Sequence, residues 1–210
     1  MANATLTEKP IMHIRPPAYG AGFLSYLVPG LGQITQGRVG KGLLFLVCIY
    51  TLFFYGVYLG TGSVTIDGKT FHVSSNVYLP DAAEDPQPGA PRQLPPLLQN
   101  LYARPQFAGQ FWVGVAAWPA IIQYMSREDP RQRRLDDDAP AEGKRGHPQL
   151  GEFMREPDPV AVNAVHNAGD KRLELAWVYT VIAGVLNILV IYDAVAGPAF
   201  GQAGGPEKKD

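Results

Sequence analysis

A lysine behind a glycine-rich run is the first place to look for chemistry, and Pro29 to Gly42 reads PGLGQITQGRVGKG. A phosphate-cradling loop needs glycine, four residues, then Gly-Lys-Ser/Thr, so that backbone N–H groups ring the phosphate and a hydroxyl holds Mg2+. Here Gly40-Lys41 has Thr35 at the required glycine and Gly42 where the hydroxyl belongs. The dinucleotide pattern fails too, since Gly30 and Gly32 are followed by Thr35 in place of the third glycine, with no strand before them. Cys48 is the only cysteine, which excludes disulfides, CxxC redox pairs and thiolate zinc sites within one chain. His13, His72, His147 and His166 are scattered without metal-ligand spacing. Arg131, Arg133 and Arg134 could meet anionic lipid headgroups, but Asp136 to Asp138 neutralise them. No catalytic, cofactor-binding or metal-binding residue is expected, and the chain reads as no enzyme.

The remaining polar residues of interest lie in uncharged surroundings. Asn187 interrupts LAWVYTVIAGVLNILVIY (Leu175 to Tyr192), and Gln110 and Gln123 lie near the ends of FAGQFWVGVAAWPAIIQYM (Phe107 to Met125). Asn187 is expected to hold helices together rather than bind a ligand. Asp193, just past the last stretch, is expected near the outer interface and in reach of water.

The elements that would carry these residues read as membrane spans. The 18 basic and 19 acidic residues crowd into connecting segments and termini, so a mean hydropathy of -0.05 hides long stretches without charge. Leu43 to Leu59 is one, and as a helix it covers roughly 25 Å of a ~30 Å hydrocarbon core. Phe107 to Met125 and Leu175 to Tyr192 are the others, the former with Pro119 expected to kink it. A fourth span is expected over 18–34, kinked at Pro29. A re-entrant or interfacial segment is the competing reading, disfavoured because backbone that re-enters must be shielded by protein. The fold class is therefore an all-α membrane protein with four transmembrane helices.

The expected organisation is an N-terminal tail (1–17), a transmembrane hairpin (18–60, spans 18–34 and 42–60), an extracytoplasmic loop (61–106), a third span (107–125), a cytoplasmic loop (126–174), a fourth span (175–195) and a C-terminal tail (196–210). Met1 to Pro17 lacks an apolar core, so no signal peptide is expected to be removed. Orientation follows from the positive-inside rule: Arg38 and Lys41 group with Arg127, Arg131, Arg133, Arg134, Lys144, Arg145, Arg155, Lys171 and Arg172 as cytoplasmic, 11 basic residues against seven. In the outer loop, Val64-Thr-Ile, Asp67-Gly68 and Lys69-Thr-Phe-His-Val73 predict a β-hairpin over 63–73 with a two-residue turn. Leu79 to Pro96 reads as a Pro-rich linker, and LLQNLY after Pro96 as a helix along the outer interface. In the inner loop, Arg131 to Pro148 reads as disordered, while Asp158-Pro159 to Gly169 predicts a short capped helix and Asp170 a cap for the last span.

The run YLVPGLGQITQGRVGKGLLF, Tyr26 to Phe45, resembles the Pro-Gly-x-Gly-Gln, Gly-Arg, Lys-Gly turn between two helices in small bacterial membrane proteins related to the TM-two-type domain. With NILVIYDAVAGP, Asn187 to Pro198, the chain resembles an uncharacterised four-helix bacterial family, a domain of unknown function. It lacks the aromatic Phe-Tyr pair of the two-helix domain, having Ile34-Thr35 there. The resemblance implies a helical hairpin and no activity. Within it Pro29, Gly30, Gly32, Gln33, Gly37, Arg38, Lys41 and Gly42 are expected to form a structural turn. Glycines would allow close approach, Gln33 and Gln36 would satisfy carbonyls released by Pro29, and Arg38 and Lys41 would anchor at headgroups.

No cofactor is expected. The expected partners are the lipid bilayer of a bacterial inner membrane and other proteins or further copies. These would dock through small-residue faces such as Gly56 and Gly60, Ala116 and Ala120, or Ala176, Thr180 and Gly184. Nucleic acid is not among them. Two roles follow: a non-enzymatic scaffold or assembly factor, or a transporter or channel accessory subunit or small oligomeric pore lined by Asn187, Gln110 and Gln123.

Overall fold

The computed structural model describes residues 16–66, 68–80, 95–126 and 147–200. Most of both tails, the Pro-rich linker over 81–94, and the arginine cluster and charged run over 127–146 lie outside the described residues. The chain is mostly helical with one small sheet.

Two helices form the frame. α3 spans Val39–Leu59 and α8 spans Arg172–Phe200, and both contain long windows of mean hydropathy 2.1. At about 1.5 Å per residue the 21 residues of α3 extend about 32 Å. Among the described residues they are the two helices long and apolar enough to cross a membrane. They run antiparallel: Gly56 lies against Ala176 and Thr180, Tyr55 meets Tyr179, and at the far end Arg38 pairs with Asp193. The buried stripe of α8 is Ala176, Thr180, Ala183, Asn187, Val190 and Ala194, spaced four and three residues apart. That spacing keeps small side chains on one face and lets the helices approach closely.

The other two expected spans are not continuous helices. The first segment is α1 (Tyr19–Leu27) and α2 (Leu31–Thr35), joined by a reversal. Val28-Pro29-Gly30-Leu31 closes with Leu31 N–H donating to the Val28 carbonyl at 3.0 Å and Gly30 at φ 83°. That is a type II turn, with proline at its second residue and glycine at its third, where φ must be positive. α2 therefore folds back on α1, and Gly32 presses on the Ala21 carbonyl and the Ser25 side chain. Both ends of the segment lie at one end of the α3/α8 pair, since Ala18 N–H reaches the Val195 carbonyl and Gln36 reaches Ala194. The continuous kinked helix expected over 18–34 is thus corrected to a helical hairpin that turns back at Pro29-Gly30.

The third expected span, 107–125, is corrected in the same way. It consists of α5 (Pro105–Gln110), a 3-10 stretch over Phe111–Ala117, and α6 (Trp118–Met125). Gly109 packs on Val181 and Gly184, and the Trp112 carbonyl reaches Asn187. The backbone then breaks at Gly114 (φ 81°, ψ -136°), a conformation open only to glycine. α6 returns, so that Asn100 Nδ2 donates to Tyr124 Oη at 2.6 Å. Asn100 belongs to α4 (Pro96–Ala103), the short helix that leads into α5. The break falls at Gly114, not at Pro119, which sits harmlessly in the first turn of α6.

These two reversals also correct the sidedness. β1 (Gly62–Ile66) and β2 (Lys69–Val73) pair antiparallel, with Ile66 opposite Lys69 and Gly68 at φ 77°. The hairpin packs on α7 (Pro159–Asn167) through Val73, Ala161 and Val165. The loops 61–106 and 126–174 were expected on opposite sides, but their described parts share one end of the α3/α8 pair. Arg38 and Lys41 sit at the other end, away from Arg172, so the basic residues counted together as cytoplasmic are divided. Asp158 caps α7 through Val160 N–H at 2.8 Å, and Asp170 caps α8 through Arg172 N–H at 2.9 Å.

A Cβ at Gly114 would meet the Tyr26 and Leu27 carbonyls, whereas one at Gly40 would meet nothing within 4 Å. Gly114→Ala is expected to cost about 3 kcal/mol or more through strain and collision. Gly40→Ala is expected to be stabilising by about 0.5–1 kcal/mol. Thermal unfolding in detergent, followed by tryptophan fluorescence, measures both.

Candidate functional site

A helix that stops inside an apolar bundle exposes carbonyls and N–H groups that only protein can satisfy. In this chain the broken ends converge on one face of α8, and side chains answer them in three groups.

The central group is Asn187, fully buried. Its Nδ2 donates to the Ser25 carbonyl of α1 at 3.1 Å and to the Trp112 carbonyl at 2.8 Å. One amide therefore ties the tips of both re-entrant hairpins to α8. Both partners are carbonyls, so the orientation of the amide is settled. Tyr26 packs on Phe111 and edge-on to Trp112 beside it.

The second group lies towards the α3 start. Ser25 Oγ accepts from Gly32 N–H and donates to Gln33 Oε1 at 2.9 Å. Gln33 Nε2 donates to the Val190 carbonyl at 2.8 Å and to Asp193 at 3.1 Å. Gln36 Nε2 donates to the Ala194 carbonyl at 2.7 Å. Residue 198 is proline and has no N–H to reach Ala194 one turn back, so Gln36 fills that place. The two glutamines thus serve carbonyls of α8, one of them released by Pro198, rather than carbonyls released by Pro29. Asp193 lies within α8 and binds Arg38 at 2.9 Å and Lys41 at 2.6 Å, with its side chain one quarter exposed. Its expected place at the interface opposite Arg38 is corrected by these contacts. Pro29, Gly30, Gly32, Gln33, Arg38, Lys41 and Gly42 all act in the reversal or its docking, Gly30 lying directly on Gly42. Gly37 ends the turn at φ 80° and has open space around it.

The third group is at the α3 end. Gln110 Nε2 donates to Thr180 Oγ1 at 2.8 Å and to the Asn76 carbonyl at 3.1 Å. Arg104 reaches the same carbonyl at 2.6 Å and stacks on the Tyr78 ring at 3.6 Å. Burial pushes the Arg104 guanidinium down from its usual value, while Tyr78 and Glu156 work the other way. Gln123, expected to line a pore with Asn187 and Gln110, is elsewhere. Its amide donates to the Gly151 and Phe153 carbonyls and accepts from His147 N–H, clamping the turn at 147–154 onto α6. Ser25, Asn76, Arg104 and Thr180 carry no sequence signal as members of these groups, because nothing in their spacing marks them.

The glycine and alanine faces are also occupied inside the chain. Gly56 meets Ala176 and Thr180, Gly60 meets Asn76, and Gly184 meets Gly109. Among the described residues no group of three or more histidines, cysteines and carboxylates is placed to hold a metal ion. His72, His147 and His166 lie on separate elements, and His13 lies outside the described residues.

Residues 20–207 match a family profile described as a family of unknown function, DUF6677. The chain belongs to that family. The match takes in both re-entrant hairpins, both long helices and the polar groups between them, so this architecture is what the family profile covers. No curated protein and no solved structure matches the chain. The family carries no assigned activity, and the biochemical role of this member is unknown.

Replacing Asn187 by leucine leaves two buried carbonyls without a donor and is expected to destabilise by about 2–4 kcal/mol. Asp193→Asn leaves Arg38 and Lys41 without their shared counter-charge at a partly exposed site, and about 1–2 kcal/mol is expected. Denaturation in detergent should rank Asn187→Leu below Asp193→Asn and both below the parent; equal stability of all three would contradict these roles.

Proposed function

We propose that the chain is a multi-pass protein of a bacterial inner membrane that acts as a non-enzymatic scaffold or assembly factor. The membrane reading is supported by which apolar side chains are left outside. Only 28% of the apolar window of α3 and 33% of that of α8 is buried. Leu43, Leu44, Val47 and Tyr58 on α3, and Val185, Leu186, Leu189 and Tyr192 on α8, are exposed. An exposed apolar surface on this scale calls for lipid. The bacterial setting is supported by the resemblance of the Tyr26 to Phe45 turn to that of small bacterial membrane proteins. In this reading α3 and α8 cross, and the two hairpins enter from opposite faces and meet near the middle.

The observation that carries the scaffold reading is the contact at that meeting point. Gly114 lies directly on the Tyr26 and Leu27 carbonyls, and Asn187 ties both tips together. This supports a plugged interior in a single chain. With the small-residue faces occupied internally, partners dock elsewhere: on the end that carries the β-hairpin, α4 and α7. Nucleic acid is not among the proposed partners, and no cofactor is.

The second reading, a transporter or channel accessory subunit or small pore, draws on one feature. Polar groups follow the inner face of α8 from Asp193 through Gln33, Ser25 and Asn187 to Thr180 and Gln110, the arrangement of broken helices that carries ions in some transporters. Native-detergent purification with mass spectrometry, paired with ion flux into liposomes holding this protein alone, separates the readings. The scaffold role predicts one defined complex and flux no higher than in empty liposomes. Flux without any co-purifying partner would overturn it.

A further inference from the structure

Among the described residues, four buried side-chain atoms find no hydrogen-bond partner: Asn76 Oδ1, Arg104 Nε, Gln110 Oε1 and Asn187 Oδ1. Three of them belong to residues that already converge. Arg104 and Gln110 both donate to the Asn76 carbonyl, at 2.6 and 3.1 Å, and Asn76 and Gln110 both donate to Thr180 Oγ1, at 3.4 and 2.8 Å. The orphans around this knot are one donor and two acceptors. Neither amide can be turned over to relieve them, because Gln110 Nε2 is held by two acceptors and the one hydrogen of Thr180 Oγ1 goes to the Ala176 and Trp177 carbonyls, so Asn76 must present Nδ2 to it.

We infer that Asn76, Arg104 and Gln110 enclose a binding site for a small neutral molecule that both donates and accepts hydrogen bonds, namely one or two ordered waters. The chemistry selects it. A bare cation has no lone pair for Arg104 Nε–H, and an anion has no hydrogen for the amide oxygens of Asn76 and Gln110. A water accepts from Arg104 Nε–H and donates to Asn76 Oδ1 and Gln110 Oε1, which gives it the three bonds typical of a buried water. The Asn76 side chain lies on Gly60, and the Tyr78 ring covers the guanidinium. The site joins three parts of the chain: the strand-to-helix connection at Asn76, the entry of the second re-entrant hairpin at Arg104, and α5 at Gln110. It holds whether the long helices lie in lipid or against another protein.

The test uses the full chain, isotope-labelled, in lipid, with water-edited solid-state NMR as the readout and water itself as the probe. Polarisation from water is expected to reach Arg104 Nε and the Asn76 and Gln110 amides severalfold faster than the backbone amides of Val113 and Ala183, which are fully buried. Transfer to Arg104 Nε no faster than to Val113 would overturn the inference. Gln110→Met keeps the volume and removes one acceptor of the site, and a severalfold drop at Arg104 Nε is expected. An unchanged rate there, in a variant whose remaining spectrum is intact, would remove Gln110 from the site. If that variant does not fold, the measurement on the parent chain decides alone.

Discussion

Backbone that reverses direction inside an apolar bundle must find its hydrogen bonds in protein, and in this chain Asn187 meets that demand for two reversals at once. Its amide reaches Ser25 on one hairpin and Trp112 on the other. The remaining structure arranges itself around that constraint. Glycines at 30, 32, 114 and 184 let backbone lie on backbone where any side chain would intrude. Ser25, Gln33 and Gln36 satisfy the remaining groups at one end, and Thr180 and Gln110 at the other. Each unmet group would cost about 1–3 kcal/mol, comparable in sum with the net stability of an ordinary domain.

The same constraint decides what the interior can do. Close contact between the tips, with an amide bridging them, gives an interior in which most of the described polar side chains are bonded within the chain. In the proposed scaffold role such a chain presents surfaces at fixed positions. The Arg38, Lys41 and Asp193 group fixes the opposite end, where the first hairpin, the start of α3 and the end of α8 come together. Because Asp193 bridges two cations at a partly exposed site, this end is open to screening by salt.

Much of the local structure is legible in the sequence. α3 is expected over 42–60 and spans Val39–Leu59. The β-hairpin has the register that Asp67-Gly68 requires, and the Asp158 and Asp170 caps stand where capping chemistry puts them. The crossings are not legible, for a physical reason. Length and lack of charge report whether a segment tolerates an apolar setting, and a re-entrant hairpin meets that test as well as a span does. Pro29-Gly30 does carry a signal, since that pair is the signature of a type II turn, but a kink in a continuous helix draws on the same proline. Gly114 carries none, because nothing around it distinguishes a break from a packing glycine. With four crossings assumed, the positive-inside tally places Asp193 and Arg38 on opposite sides. Long-range partners such as Gln33 with Val190, or Gln36 with Ala194, cannot be read from spacing along the chain.

In the proposed topology only α3 and α8 cross, while both intervening segments return to the side they entered. Single cysteines at Pro17, Lys41, Met125 and Lys171, in a Cys48→Ser background, test it by labelling with a membrane-impermeant maleimide on sealed vesicles of known orientation. Positions 17 and 41 are expected to react from one side and positions 125 and 171 from the other. Reaction of positions 17 and 41 from opposite sides, or of 125 from the same side as 41, would mean that at least one hairpin spans the bilayer, and would contradict this topology.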